Sequence, residues 1–132
     1  NDTGYIAEAN AHSIGCLLEY GEFRMLFTGD MPKEAEISLL KNCHKAGVSP
    51  AVDILKLAHH GSKTSSCPDF LSESQAKFAL FSYGKGNRYG HPHKNTLENC
   101  RKYWLFPLET AKFGEILIKT NGEQYEITAP LD

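Results

Sequence analysis

The 132 residues contain no apolar run approaching the roughly 18 residues that cross a bilayer, so no membrane-spanning helix is expected within them. Basic residues are not in excess either. Fourteen Lys and Arg face 16 Asp and Glu, a formal net charge of −2. A protein that grips nucleic acid by cations alone usually shows the opposite balance, so a nucleic-acid partner here requires a bound metal or a local basic patch. The four cysteines, Cys16, Cys43, Cys67 and Cys100, form no CxxC pair, which argues against a zinc ribbon or a redox motif. Cys43 and Cys100 fall in amphipathic helical patterns, where a small buried hydrophobe is expected. Free thiols lean towards a reducing compartment. No internal repeat and no linker is visible, nor does the chain open with a basic stretch and an apolar segment of signal-peptide type. A start without Met is expected of a piece of something longer.

What is present suits one domain over residues 1–132. Hydrophobic residues make up 41% and charged residues 23%, the balance of an ordinary globular protein with its own core. Ile14 to Tyr20 and Phe23 to Thr28 read as strands joined by Gly21-Glu22, a two-residue hairpin turn. Pro32 opens a helix whose apolar positions are Ala35, Ile37, Leu39, Leu40 and Cys43, with Gly47 as its stop. Asp53 to Ala58 has the near-continuous apolar character of a buried strand. Pro68 starts a short helical turn, and Phe78 to Ser82 is the next strand. After a glycine-rich loop, Gly84 to His93, a helix is expected from about Asn95 to Leu105, with Leu97, Arg101 and Trp104 in one row. Trp104 and Phe106 are expected in the core. A hairpin turning at Asn121-Gly122 closes the chain. This alternation of strands and helices implies an α/β, layered sheet-and-helix domain.

The polar residues of chemical interest share one position, the loop just after a strand. Asp30 follows Leu26-Phe27-Thr28-Gly29, and His59-His60 follows Leu55-Lys56-Leu57-Ala58. Ser82 ends the third such strand, with Asn87, His91 and His93 beyond it. Rigid strands place such side chains accurately, and ligands bind where strand ends converge. Carboxylate oxygen with imidazole nitrogen suits zinc, manganese or iron. A metal there lowers the pKa of bound water to about 7. Duller readings stand beside this one. An Asp after Gly is commonly a turn or a helix cap, and a His doublet is often a surface feature. Gly84-Lys85-Gly86-Asn87 lacks the spacing of a phosphate-cradling loop, and His44 near a helix end complements the dipole.

The flanking residues make the pattern specific. Asn10-Ala11-His12-Ser13, Tyr20-Gly21 and Phe27-Thr28-Gly29-Asp30 resemble the "NxxS…YG…LTGD" run of metallo-β-lactamase-like hydrolases. Val52 to Ser62 resembles their "VDxLKxxHHGS" segment, followed by Ser65. Ser82-Tyr83-Gly84, Asn87 and Tyr89-Gly90-His91-Pro92 are similar to the "SxGxxNxYGHP" signature of ComEC-type DNA-internalisation proteins and their stand-alone relatives. Thr110, Gly114 and Ile116 fit the pattern of their final hairpin. The matches cover nearly the whole chain in the right order.

The resemblance implies the C-terminal half of an αββα sandwich, a single partial domain. Asp30 falls on the family's metal-bridging aspartate, and His60 or its neighbour His59 on the last histidine ligand, His60 being favoured beside the glycine. His91 falls to an acid or an additional ligand. Ser62, Ser65, Ser82 and Asn87 would line the substrate side. The implied cofactor is zinc or manganese, one or two ions in the complete domain, weakly held or absent in this part. The implied activity is a phosphodiesterase or nuclease acting on DNA during uptake. A lactone or thioester hydrolase, or a degenerate domain that binds DNA or protein, are the alternatives. The implied setting is bacterial, in a soluble domain of a membrane protein or a cytoplasmic stand-alone relative. Two departures stand out. Ala111 replaces a frequent Asp, and the family's "HxHxDH" motif, which belongs to the other half, is not among these residues. Without that half, an apolar sheet face is expected to be exposed and to promote self-association.

Overall fold

The computed structural model describes residues 9–130. Strands β1 (Cys16–Tyr20) and β2 (Phe23–Phe27) form the expected antiparallel hairpin, with Tyr20 opposite Phe23. From β2 the sheet continues in parallel through β3 (Ile54–Lys56), β4 (Phe78–Phe81) and β5 (Phe106–Glu109), in the order β1-β2-β3-β4-β5. Parallel neighbours need long crossovers, and helices supply them. These are α1 (Lys33–Ala46), α2 (Pro68–Ser74) and α3 (Lys94–Lys102). Leu26, Leu55, Ala79 and Phe81 of the sheet meet Leu40, Phe70, Leu71 and Cys100 of the helices in the main core. The architecture is the mixed α/β, layered one that the alternating pattern implied.

A short helix, α4 (Thr110–Phe113), leads to a separate hairpin of β6 (Leu117–Thr120) and β7 (Tyr125–Thr128). Its Ile118, Tyr125 and Ile127 pack on Phe23, Met25 and Ile54, on the sheet face away from the helices. The two hairpin turns meet backbone to backbone. The Gly122 carbonyl accepts the N–H of Glu22 at 2.5 Å, and a Cβ on Gly21 would lie 2.5 Å from the same oxygen.

Several expectations are corrected. The buried face of α1 holds Glu36 as well as Leu40, and Ile37 points outward. Glu36 accepts the N–H groups of Ser66 (2.7 Å) and Cys67 (2.9 Å), so a carboxylate clamps the entry to α2. Helix α3 stops at Lys102. Trp104 has left the helical path with φ 65° and is 89% exposed, and Phe106 is 57% exposed, so neither is in the core. Residues 106–109 form the fifth strand, which the sequence pattern hid behind Pro107; that proline is tolerated because β5 is an edge. Thr110 lies in α4 and not in the final hairpin. His44 does sit in the last turn of α1, and it also reaches Glu73 of α2 at 2.6 Å.

Candidate functional site

Because β2, β3 and β4 run in parallel, their C-terminal ends lie together, and three of the sequence-derived positions come with them. Hydrogen bonds across the strand ends lock the assembly. The Thr28 hydroxyl donates to the Lys56 carbonyl (2.9 Å), and the His59 N–H donates to the Gly29 carbonyl (3.0 Å). The Asp30 N–H donates to the Ser13 hydroxyl at 3.2 Å. After β3 the chain turns through a single 3-10 turn, Ala58–Gly61, in which His59 (φ 48°) and His60 (φ 57°) are both left-handed.

That turn sets two imidazoles side by side, and the loop after β4 brings a third. The rings of His59 and His60 are 6.2 Å apart; His91 lies 5.5 Å from His59 and 6.0 Å from His60, stacked on the latter. His60 is oriented by a hydrogen bond of 2.7 Å from Nδ1 to the Ser82 carbonyl. A carbonyl only accepts, so Nδ1 carries a proton, and in the neutral ring the lone pair lies on Nε2. Metal-binding histidines are commonly oriented in this way. His59 Nδ1 is 3.5 Å from the Thr64 hydroxyl, a much weaker restraint.

His91 is held by its backbone. The Asn87 side-chain oxygen accepts the His91 N–H (2.9 Å), and its amide donates to the His91 carbonyl (2.7 Å). Burial, then the neighbouring His93, His59 and His60, hold the His91 imidazole below the usual histidine range, opposed by the charge of Asp30. Asp30 is thus near enough to act electrostatically on the cluster. It acts also on Lys56, whose ammonium is pushed below its ordinary range by burial. Beside the histidines lies a cavity of about 360 Å³, lined by His60, Ser82, Tyr83, Asn87, Tyr89 and His91 among others.

Not every candidate faces this cavity. Ser62 and Ser65 are 3% and 2% exposed. The Ser65 hydroxyl donates to the Met31 carbonyl (2.6 Å), and that of Ser62 bonds Thr64 at 3.0 Å. Both therefore brace the His59–Ser65 loop and do not line its open side. His93 is engaged as well, its Nδ1 accepting the Lys63 N–H at 2.8 Å. Ser82 presents its carbonyl to His60, and Asn87 is spent on His91.

Lys56, Tyr83 and Thr110 were not expected at the site. Lys56 had a signal, a lone cation inside the apolar run Ile54-Leu55-Lys56-Leu57. The Tyr83 hydroxyl donates to Glu109, while Thr110 braces the Tyr83 backbone at both its N–H (3.0 Å) and its carbonyl (2.9 Å). Their proximity depends on β5, which the sequence pattern concealed. Among the described residues, no group of three or more His, Cys, Asp and Glu is gathered so as to hold a metal ion. The carboxylate and imidazole types present suit a divalent ion, but a complete ligand set is not gathered among the described residues.

No family model matches the chain, and no solved structure matches it. Three curated proteins do. The chain is 36% identical over 112 residues to ComE operon protein 3 of Bacillus subtilis (strain 168), a match covering 83% of the chain and 14% of that protein. It is 30% identical over 118 residues to Recombination protein 2 of Haemophilus influenzae, covering 89% of the chain and 14% of the relative. With Competence protein ComA of Neisseria gonorrhoeae the identity is 33% over 96 residues, 73% of the chain and again 14% of the relative. The chain thus spans a small part of the length of these relatives, and it is a homologue of one segment of competence and recombination proteins.

Proposed function

We propose that this chain forms one wall of a metal-dependent phosphodiesterase that acts on DNA during its uptake. The observation that carries the reading is the orientation of His60: Nδ1 is fixed on the Ser82 carbonyl, Nε2 is free, and His59, His91 and the charge of Asp30 are close by. Relatives named for competence and recombination support DNA as the substrate class. Asp30 and His60 would hold a zinc or manganese ion, with His59 as the alternative imidazole. When bound, the ion supplies Lewis acidity towards water and towards the phosphoryl oxygens.

The chain's own groups do the rest. With Nδ1 turned to the Ser82 carbonyl, His60 offers Nε2 as its ligating atom. His91, held largely uncharged near neutral pH, suits an additional ligand or a proton acceptor better than an acid. The Lys56 ammonium balances the Asp30 carboxylate at the strand ends. The cavity beside His60 and His91 receives the part of the substrate next to the scissile bond. The remaining ligands belong to an N-terminal half of the same domain, which packs on the sheet face opposite the helices.

The test is hydrolysis of DNA and of a bis-nitrophenyl phosphodiester by an N-terminally extended protein supplied with manganese or zinc. Asp30→Ala is expected to lower turnover at least about a hundredfold. Full activity in that variant sinks the reading. Turnover of a lactone in place of both phosphodiesters moves the substrate class, and less than one ion per chain after soaking favours a non-catalytic binding domain.

A further inference from the structure

Trp104 is the chain's only tryptophan, and it is placed where a tryptophan is costly on two counts. It is 89% exposed, forgoing the burial for which so large an apolar ring is suited. It also sits in the left-handed region at φ 65°, just past the end of α3, with its N–H on the Arg101 carbonyl (3.1 Å) and the Leu105 N–H on the Cys100 carbonyl (2.9 Å). That position after a helix is one where Gly or Asn is preferred. A bulky residue held there against both preferences points to a function of the ring itself.

Its surroundings name the ligand. Trp104 borders a groove of about 500 Å³ along the outer edge of β5, whose lining includes Arg101, Phe106, Pro107, Lys112 and Phe113. Phe106 is exposed beside it. Arg101 and Lys102 are exposed on the last turn of α3, with Lys102 Nζ 5.6 Å from the Tyr103 ring. The carboxylate in the lining, Glu109, is buried and engaged by Lys112 at 2.8 Å and by the Tyr83 hydroxyl. Exposed aromatic faces bordered by cations are the pattern that stacks bases and tracks phosphates of a single strand. In a chain of net charge −2, this is the local patch that nucleic-acid binding requires. The groove also adjoins the candidate site: Glu109 lines it, while the next residue, Thr110, lines the cavity of His60 and His91.

We propose that the β5 edge is a single-stranded nucleic-acid track, with a base stacked on Trp104 and phosphates held by Arg101 and the neighbouring exposed Lys102, leading to the strand-end histidines. The proposal deepens the phosphodiesterase reading and rests on it for the substrate class. Emission of the sole tryptophan reports on it directly. Titration of the full chain with an oligothymidylate is expected to quench that emission, and added salt to reverse the quench. Trp104→Asn, which relieves the left-handed backbone, is expected to keep or raise the melting temperature while weakening oligothymidylate binding about tenfold, measured by anisotropy of a labelled strand. Arg101→Glu should weaken it comparably. Unchanged emission with the oligonucleotide, equal affinity in Trp104→Asn, or an emission shift that follows protein concentration alone overturns the proposal. The Asp30→Ala protein separates the two readings. Quenching retained where no protein, wild type or variant, hydrolyses DNA leaves the track standing and removes the phosphodiesterase; hydrolysis without quenching does the reverse.

Discussion

Two successive L-residues in the left-handed region are uncommon, and His59 and His60 are such a pair, at φ 48° and 57°. Each costs on the order of 1–2 kcal/mol, so the turn persists only because its surroundings hold it. The His59 N–H is tied to Gly29, His60 Nδ1 to Ser82, and Gly61 fits at φ 83° against Phe81 and Pro92. A Cβ on Gly61 would stand 2.7 Å from the Phe81 ring and 2.8 Å from Pro92. Gly61→Ala is therefore expected to destabilise the fold by about 3 kcal/mol in urea denaturation, through clash and backbone strain together. An unchanged midpoint would show that the turn has room to yield. His60→Asn separates geometry from chemistry, because Asn tolerates the left-handed conformation but lacks the imidazole Nε2. Stability should stay within about 1 kcal/mol of wild type. Zinc affinity of the N-terminally extended protein, measured by competition with a chelating dye, should drop at least about tenfold. Equal affinity would remove His60 from the ligand set.

At the scale of the element, α1 and α2 are joined by a carboxylate. Glu36 is fully buried, and two backbone N–H groups at the start of α2 have no other acceptor among the described residues than its oxygens. Glu36→Ala leaves both unsatisfied, at a cost of about 3 kcal/mol. Burial pushes the Glu36 carboxyl above its ordinary range, and the bonds from Cys67 and Ser66 pull only part of the way back. The native state therefore holds this proton more tightly than the unfolded chain does. Its contribution is full below the ordinary glutamate value and is lost as pH rises through the raised one. Denaturation across the mildly acidic range should show that decline in wild type and lose it in Glu36→Gln. A Glu36→Gln profile parallel to wild type would place the titration elsewhere. These elements also show why some of the fold was legible and some was not. The first hairpin and the ends of α1 have local causes in Gly21-Glu22, Pro32 and Gly47, and β3 and β4 announce themselves as apolar runs. Strand β5 carries Pro107, and Trp104 continues the helical spacing of Leu97 and Arg101, so the sequence suggests a longer helix there. The partners of Glu36 lie about thirty residues away, beyond any periodicity. At the site the same division holds. Asp30, His59 and His60 are marked by their strand ends, whereas the inward roles of Ser62 and Ser65 depend on Thr64 and Met31.

For the whole molecule, the two faces of the sheet are treated unequally. Helices cover one, while the β6–β7 hairpin covers the other around Phe23, Met25, Ile54 and Phe78, residues of β2 to β4. Register places Cys16, Leu18 and Tyr20 of β1 on that second face, opposite Phe27, Met25 and Phe23 respectively. Leu18 is 47% and Phe27 38% exposed, so the β1 side of the sheet presents apolar rows to water. Lys56 stands in the row between Phe27 and Leu80, its ammonium bent back to the Leu57 carbonyl at 2.8 Å and away from the apolar rows of β1. On the reading that an N-terminal half packs here, the chain alone should bury this surface against copies of itself. Sedimentation velocity is expected to show association that grows with concentration. Leu18→Lys and Phe27→Lys should suppress it, each placing a charge where the interface would have to desolvate it. The N-terminally extended protein should remain monomeric over the same range, because its own half occupies the face. A chain that stays monomeric at high concentration, or an extended protein that associates as readily, would show that this face is not where the remainder of the domain docks.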